Sequence, residues 1–162
     1  MKRITIICLA FAIGGFQLVI AQDTSMNELA IIQEQWGMAK KEVVGAFLDL
    51  NETEAAAFWP VYDSYDVARK ELGKERYGII EDYANAYENI SDEQAIDLTN
   101  RAFKNNIAIE KLQMQYYKKM TKVVSPVEAS KFMQLEKYME TVIKAQLKGQ
   151  IPLIGEMEGA RN

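Results

Sequence analysis

Apolar side chains recur three or four residues apart along most of the chain, which is the spacing of one buried face of an α-helix. At four points a polar residue is followed three positions later by Glu or Gln, the pattern of a capped helix N-terminus. No stretch alternates between apolar and polar residues as a half-buried strand does, so the predicted fold is all-α. The four predicted helices span residues 25–50, 51–89, 91–123 and 125–149.

The stretch 50–62 is echoed by the stretch 124–136. In both, an apolar residue precedes a polar cap, a Glu follows the cap after two free positions, and a Phe stands one turn further on. This pattern predicts a corner, where one helix ends and another begins with the Glu bonded back to the cap. Two unrelated capping boxes would produce the same letters. The residues of the first corner are Leu50, Asn51, Glu54 and Phe58, those of the second are Val124, Ser125, Glu128 and Phe132, and Ser91 with Gln94 cap the third helix.

Helix lengths indicate how the helices are arranged. At about 1.5 Å per residue they measure roughly 36, 57, 48 and 34 Å, so the outer two are too short to cover the middle two. Short links make neighbouring helices antiparallel, which predicts a long central hairpin with shorter first and last helices. Pro60 lies inside the second helix and removes one backbone hydrogen bond, so we also expect this helix to curve.

The tip of that hairpin, at about residues 76–103, is expected to lack a partner within the chain. An exposed apolar patch of this kind usually marks an interface. We therefore predict a two-fold homodimer, with Ile79, Tyr83 and Tyr87 at its interface. The apolar tip residues are Tyr77, Ile79, Ile80, Tyr83, Tyr87, Leu98 and Phe103.

The N-terminus has the pattern of a secretory signal peptide. Basic Lys2 and Arg3 precede the uncharged apolar run 4–20, and Val19 and Ala21 suit a signal peptidase that cuts after Ala21. An uncleaved membrane anchor is the alternative, because the run is near the lower limit for a membrane span. The predicted organisation is a signal peptide at 1–21, a helical domain at 22–150 and a tail at 151–162, in a protein exported to the periplasm.

Composition excludes several kinds of chemistry. The chain has no histidine, its single cysteine is Cys8, and its formal charge of −4 would become −6 without Lys2 and Arg3. Zinc, haem and di-iron sites need histidine or cysteine, so we expect no metal and no cofactor. The acidic balance argues against nucleic acid as a partner. The carboxylates are expected on solvated helix faces, so we do not expect an enzyme.

Basic and aromatic residues alternate on the two long helices. Such a mixed face could hold unfolded, acidic segments of other proteins weakly. The competing interpretation is that the aromatic rings are core and the cations a solvated edge. The candidate binding residues are Arg69, Arg76, Tyr77, Lys111, Tyr116, Lys118 and Lys122.

The two corners and the tip cap resemble the LTxxQ motif of the Spy/CpxP family of periplasmic proteins. The matching stretches are 50–54 (LNETE), 124–128 (VSPVE) and 90–94 (ISDEQ), and the likeness covers about residues 50–148. The resemblance implies a curved helical dimer that acts without ATP, either as a folding chaperone or as a stress-signalling adaptor. Its partners would be unfolded envelope proteins or one membrane-bound signalling protein. A passive structural role is a third possibility that the residues leave open.

Overall fold

The computed structural model describes residues 38–148 of the 162-residue chain. This part contains four α-helices and no strand, which confirms the all-α class. Two long helices form the central pair, and shorter helices stand before and after them. The helices are α1 (Lys40–Phe47), α2 (Glu52–Ala86), α3 (Asp92–Met120) and α4 (Pro126–Lys148), with a 3-10 turn at Tyr87–Asn89 between α2 and α3. The predicted signal peptide and the tail at 151–162 lie outside the described residues.

Side-chain caps begin α2 and α3 where the sequence predicts them. The Asn51 Oδ1 accepts a hydrogen bond from the Glu54 N–H at 3.0 Å, and the Glu54 carboxylate accepts one from the Asn51 N–H at 3.2 Å. Ser91 and Gln94 exchange the same pair of bonds at 3.2 and 3.0 Å. Each box satisfies two N–H groups that the first helical turn leaves without a partner. The helix starts after residues 51 and 91 are therefore confirmed.

The predicted first helix, 25–50, is wrong at two points: it is interrupted at Ala39, and it ends at Phe47 rather than Leu50. Ala39 is extended, with φ −65° and ψ 150°, and α1 begins only at Lys40. The Glu42 carboxylate accepts a hydrogen bond from the Ala39 N–H at 2.9 Å, so half of a capping box forms without a polar cap. At the other end Leu48 is extended and closes the helix. Residues 25–37 lie outside the described part of the chain.

Four aromatic rings form the centre of the core. The Phe132 ring on α4 meets the rings of Phe58, Tyr62 and Tyr65 on α2 edge to face, at centroid distances of 5.6, 5.8 and 5.5 Å. The two Phe residues of the predicted corners thus pack against each other, and both are fully buried. Aliphatic residues of α1 and α4, with Met120 and Val124, complete the cluster. Leu50 packs against it while partly buried.

Pro60 lies inside α2, as predicted, and the helix continues past it to Ala86. The Ser64 hydroxyl donates a hydrogen bond to the Pro60 carbonyl at 3.0 Å. The expected curvature stays a prediction. Within residues 38–148, no helix is both long and apolar enough to cross a membrane.

The hairpin tip is better covered than the sequence suggested. Ile79 and Leu98 are only 7% and 8% exposed within a single chain, because α2 and α3 pack against each other there. The expectation that these two side chains lack an intrachain partner is wrong, and Ile79 presents little exposed surface to a dimer interface. Tyr83 and Tyr87 lie with their ring centroids 6.4 Å apart, and Tyr87 and Phe103 are exposed. The dimer itself stays a prediction.

Candidate functional site

The second corner connects two parts of the chain that are distant in sequence. The Ser125 Oγ accepts a hydrogen bond from the Glu128 N–H at 3.1 Å, which is the predicted cap. The Glu128 carboxylate, however, does not complete the box with the cap's own N–H. It accepts hydrogen bonds from the Asp49 N–H at 3.0 Å and from the Lys131 ammonium at 2.8 Å. Glu128 therefore joins the start of α4 to the link between α1 and α2.

A charged cluster lies beside the aromatic core. Glu136 on α4 is 3% exposed; its carboxylate accepts a hydrogen bond from the Tyr65 hydroxyl at 2.7 Å and pairs with the Lys40 ammonium at 2.8 Å. Lys40 is itself buried and lies 3.7 Å from Asp66. One carboxylate of α4 thus contacts α1 and α2 together. Ion pairs so far from water are costly to break, because the remaining charge would stay buried.

A second charged pair lies further along the same two helices. The Arg76 guanidinium contacts the Glu140 carboxylate at 3.1 Å, and Lys144 contacts the same oxygen at 2.8 Å. Burial opposes ionisation of Glu140, but the Lys144 hydrogen bond and the cations Lys144, Arg76 and Arg69 outweigh it and lower the pKa of Glu140. This carboxylate therefore stabilises the fold at neutral pH, and that contribution is lost as the pH falls through its lowered pKa.

These pairs correct three of the predicted binding residues. Arg69 and Arg76 are 4% and 8% exposed, and Tyr116 is 8% exposed with its ring against Tyr65. Arg76 meets the Glu140 carboxylate of α4 there, and Tyr116 meets the Tyr65 ring of α2. Side chains as buried as these three cannot form a binding surface. Tyr77 is partly buried. The lysines Lys111, Lys118 and Lys122 are exposed, as a binding role requires.

An exposed apolar stripe runs along the outer side of α3. Its four residues are 53–62% exposed, although each is a large hydrophobic side chain. At 3.6 residues per turn they fall within an arc of about 40° and extend for about 27 Å along the helix. We call this surface the α3 stripe. It comprises Ile96, Phe103, Ile107 and Met114.

A row of lysines borders the α3 stripe on one side. Lys104, Lys111 and Lys118 stand seven residues apart, are exposed, and follow the same helix face two turns at a time. We call them the lysine row. On the other border, Glu110 is paired with Lys137 of α4. The stripe is therefore bordered by positive charge on one side and by a neutral ion pair on the other.

The α3 stripe was not found from the sequence because α3 carries two apolar faces. Leu98, Ile109, Tyr116 and Met120 point into the molecule, while the stripe points outward. Apolar periodicity alone assigns both sets to the core. The signal that could have separated them is the lysine spacing of seven, which matches the spacing from Ile96 to Phe103 and from Ile107 to Met114.

Two buried tyrosines predict a loss of stability in alkali. Burial, and then nearby carboxylates, raise the pKa of the Tyr62 and Tyr65 hydroxyls far above its usual range. The folded protein keeps both protons, whereas the unfolded chain releases them near pH 10. Their contribution is constant below about pH 10 and falls above it by about 1.4 kcal/mol per pH unit for each tyrosine.

Urea unfolding between pH 9 and 11 measures this loss. We expect Tyr65→Phe to remove one of the two contributions, so that the slope of unfolding free energy against pH becomes shallower by about 1.4 kcal/mol per unit. Tyr138→Phe is the control, because that side chain is exposed. A slope that changes equally in both variants would contradict the assignment.

No protein-family model, curated protein or solved structure matches this chain. The resemblance to the Spy/CpxP family therefore stays a prediction. Among residues 38–148, no group of three or more Asp, Glu, His or Cys side chains is placed to hold a metal ion. The α3 stripe with its lysine row is the candidate site that the geometry favours for binding another molecule.

Proposed function

We propose that this chain is an exported, chaperone-like protein that binds unfolded segments of other proteins without ATP. Binding occurs on the α3 stripe, and the lysine row attracts acidic groups that flank the bound apolar residues. The observation that carries the proposal is the exposure of four large apolar side chains on one helix face. Contiguous exposed apolar surface on a small domain usually marks an interaction site.

The composition of the stripe suits many partners rather than one. Met114 is flexible and polarisable, Phe103 offers a wide flat surface, and Ile96 and Ile107 add apolar area without polar requirements. None of these side chains demands a particular hydrogen-bonding group. The exposed lysines act as point charges at long range, which raises the rate of encounter more than the affinity. Weak and broad binding follows from such a surface.

The spacing of the stripe supports a second candidate function. The intervals of seven, four and seven residues place its members at a and d positions of a heptad, with Asn100 and Glu110 at the two positions between, so the stripe is a partial coiled-coil seam for one partner helix. The chain would then be an adaptor that docks on a helix of one signalling protein, with acidic residues opposite the lysine row. In both cases the same residues bind, and membership of the Spy/CpxP family remains part of the proposal.

Light scattering from an aggregating, unrelated client protein tests the proposal without ATP. We expect the wild-type chain to suppress aggregation at several-fold molar excess, and Phe103→Ser with Ile107→Ser and Met114→Ser to lose most of that activity. The matched control replaces Val67, Val127 and Tyr138 with Ser, because these side chains are 64%, 67% and 57% exposed outside the stripe. Equal losses in the two triple variants, or no suppression by wild type, would reject the chaperone role.

Salt dependence tests the lysine row separately. The Debye length falls from about 8 Å at physiological ionic strength to about 3 Å at 1 M, so suppression should weaken as salt is added. Lys104→Gln with Lys111→Gln and Lys118→Gln should weaken it at low salt and make it nearly independent of salt. If wild type binds one helical peptide tightly but suppresses no aggregation, the adaptor becomes the better interpretation.

A further inference from the structure

An apolar groove crosses the hairpin tip. Apolar side chains of α2 and α3 line it, and its volume is about 240 Å³. A cavity of about 150 Å³ in a protein core can bind a benzene molecule, so this groove has room for more than one aliphatic side chain. We call it the tip groove. Its lining residues are Ile79, Ile80, Tyr83, Ile90, Ala95, Leu98, Thr99 and Ala102.

The end of α4 lies close to the tip groove. A neighbouring depression of about 300 Å³ shares Ile79, Ile80 and Ala102 with the tip groove, and Lys144 and Leu147 of α4 line its other side. Leu147 is 3% exposed, so the last turn of α4 is packed against the hairpin there. The chain therefore leaves the described region beside a depression, lined by both apolar and polar residues, that adjoins the tip groove.

The residues that follow α4 in the sequence are mostly apolar, like the lining of the tip groove. After Gly149 and Gln150 comes the sequence Ile151-Pro152-Leu153-Ile154, and residues 149–155 carry no charge. Proline disfavours helical backbone at the residue before it and suits an extended segment. At about 3.3 Å per residue, two residues bridge about 7 Å and the next four span about 13 Å. This reach matches a groove that begins beside Leu147.

Charge disfavours a second copy of the chain as the occupant. Six acidic residues surround the tip, whereas Arg101 is paired with Asp82 and Asp97 and Arg76 with Glu140. A two-fold interface at the tip would bring two such acidic surfaces together, and like charges in proximity repel. An uncharged segment meets no such repulsion. The acidic residues are Glu81, Asp82, Glu88, Asp92, Glu93 and Asp97.

We propose that residues 151–154 bind in the tip groove, so that the chain's own C-terminal segment covers the hairpin tip. This inference does not depend on the proposed function, because the α3 stripe lies outside the groove. It differs from the dimer that the apolar tip predicted from sequence. A second copy of the chain in the groove is the competing outcome.

Disulfide formation between introduced cysteines tests the proposal in the full chain carrying Cys8→Ser. Ala95→Cys places a thiol in the groove, and Ala84→Cys places one on an exposed part of α2 outside it. We expect Leu153→Cys to oxidise within one chain about 10-fold faster with the first than with the second, because binding raises the effective concentration. Equal rates, or a disulfide between two chains in a dimer seen by sedimentation, would overturn the proposal.

Thiol labelling gives a second measurement. In the Cys8→Ser chain with Ala95→Cys alone, we expect Leu153→Asp with Ile154→Asp to raise the rate of maleimide labelling several-fold, because the groove is uncovered. Met157→Asp is the control, since Met157 lies beyond the proposed segment. A labelling rate that the double substitution leaves unchanged would also overturn the proposal.

Discussion

Replacing Glu136 with Ala is expected to lower the free energy of unfolding by roughly 3–5 kcal/mol, the usual cost of removing one partner of a buried ion pair. Among residues 38–148, the substitution leaves Asp66, at 3.7 Å, as the carboxylate paired with the buried Lys40 ammonium, and it removes the acceptor of the Tyr65 hydroxyl. It also leaves space inside a packed interior. Urea or thermal unfolding measures the change.

Glu110→Ala is the matched control for Glu136→Ala. Glu110 is also a glutamate paired with a lysine across two helices, but its side chain is 59% exposed. Exposed pairs of this kind contribute about 0–1 kcal/mol. Adding Lys40→Met to Glu136→Ala should recover part of the loss, because the stranded charge is removed as well. Equal costs for the two glutamates would show that burial does not set the strength of the pair.

Phe132→Ala is expected to cost roughly 3–5 kcal/mol, because the ring is fully buried and meets three other aromatic rings. Removing it separates α4 from α2 at the centre of the core, where rigid neighbouring rings cannot close the cavity easily. Unfolding in urea should show a lower midpoint with a similar slope.

Phe103→Ala makes the same chemical change on the outside of the molecule. Phe103 is 62% exposed, so its replacement should change the free energy of unfolding by less than about 0.5 kcal/mol. The same substitution should weaken client binding if the α3 stripe is the binding surface. A large stability loss at Phe103 would mean that the ring is packed in solution and unavailable to a partner.

The helix boundaries that sequence predicted well depend on short-range contacts. Asn51 with Glu54, and Ser91 with Gln94, are only three residues apart, so the caps can be identified directly from the sequence. The start of α1 was not predicted because Ala39 has no side-chain acceptor. Its N–H donates a hydrogen bond to the Glu42 carboxylate instead. Without a polar cap, the apolar pattern gave no sign of a new helix at Lys40.

The buried charged residues could not be predicted, because their contacts join residues that are far apart in the sequence. Tyr65 and Glu136 are 71 residues apart, and Arg76 and Glu140 are 64 apart. On a single helix Arg76, Glu136 and Glu140 each resemble part of a solvated face, and only their pairing across helices allows burial. Side-chain periodicity shows which face of one helix is apolar. It does not show which charged residues of neighbouring helices that helix will contact.

The contacts that hold α1 have a consequence for how easily this helix opens. An eight-residue helix such as α1 is not stable alone in water, so its backbone bonds persist only while it is docked. Lys40 pairs with Glu136 and the Asp49 N–H bonds to Glu128, both on α4, while Lys41 pairs with Asp63 of α2. α1 therefore docks on a surface that α2 and α4 form together, and in native-state hydrogen exchange its amides should open before those of α2 and α3.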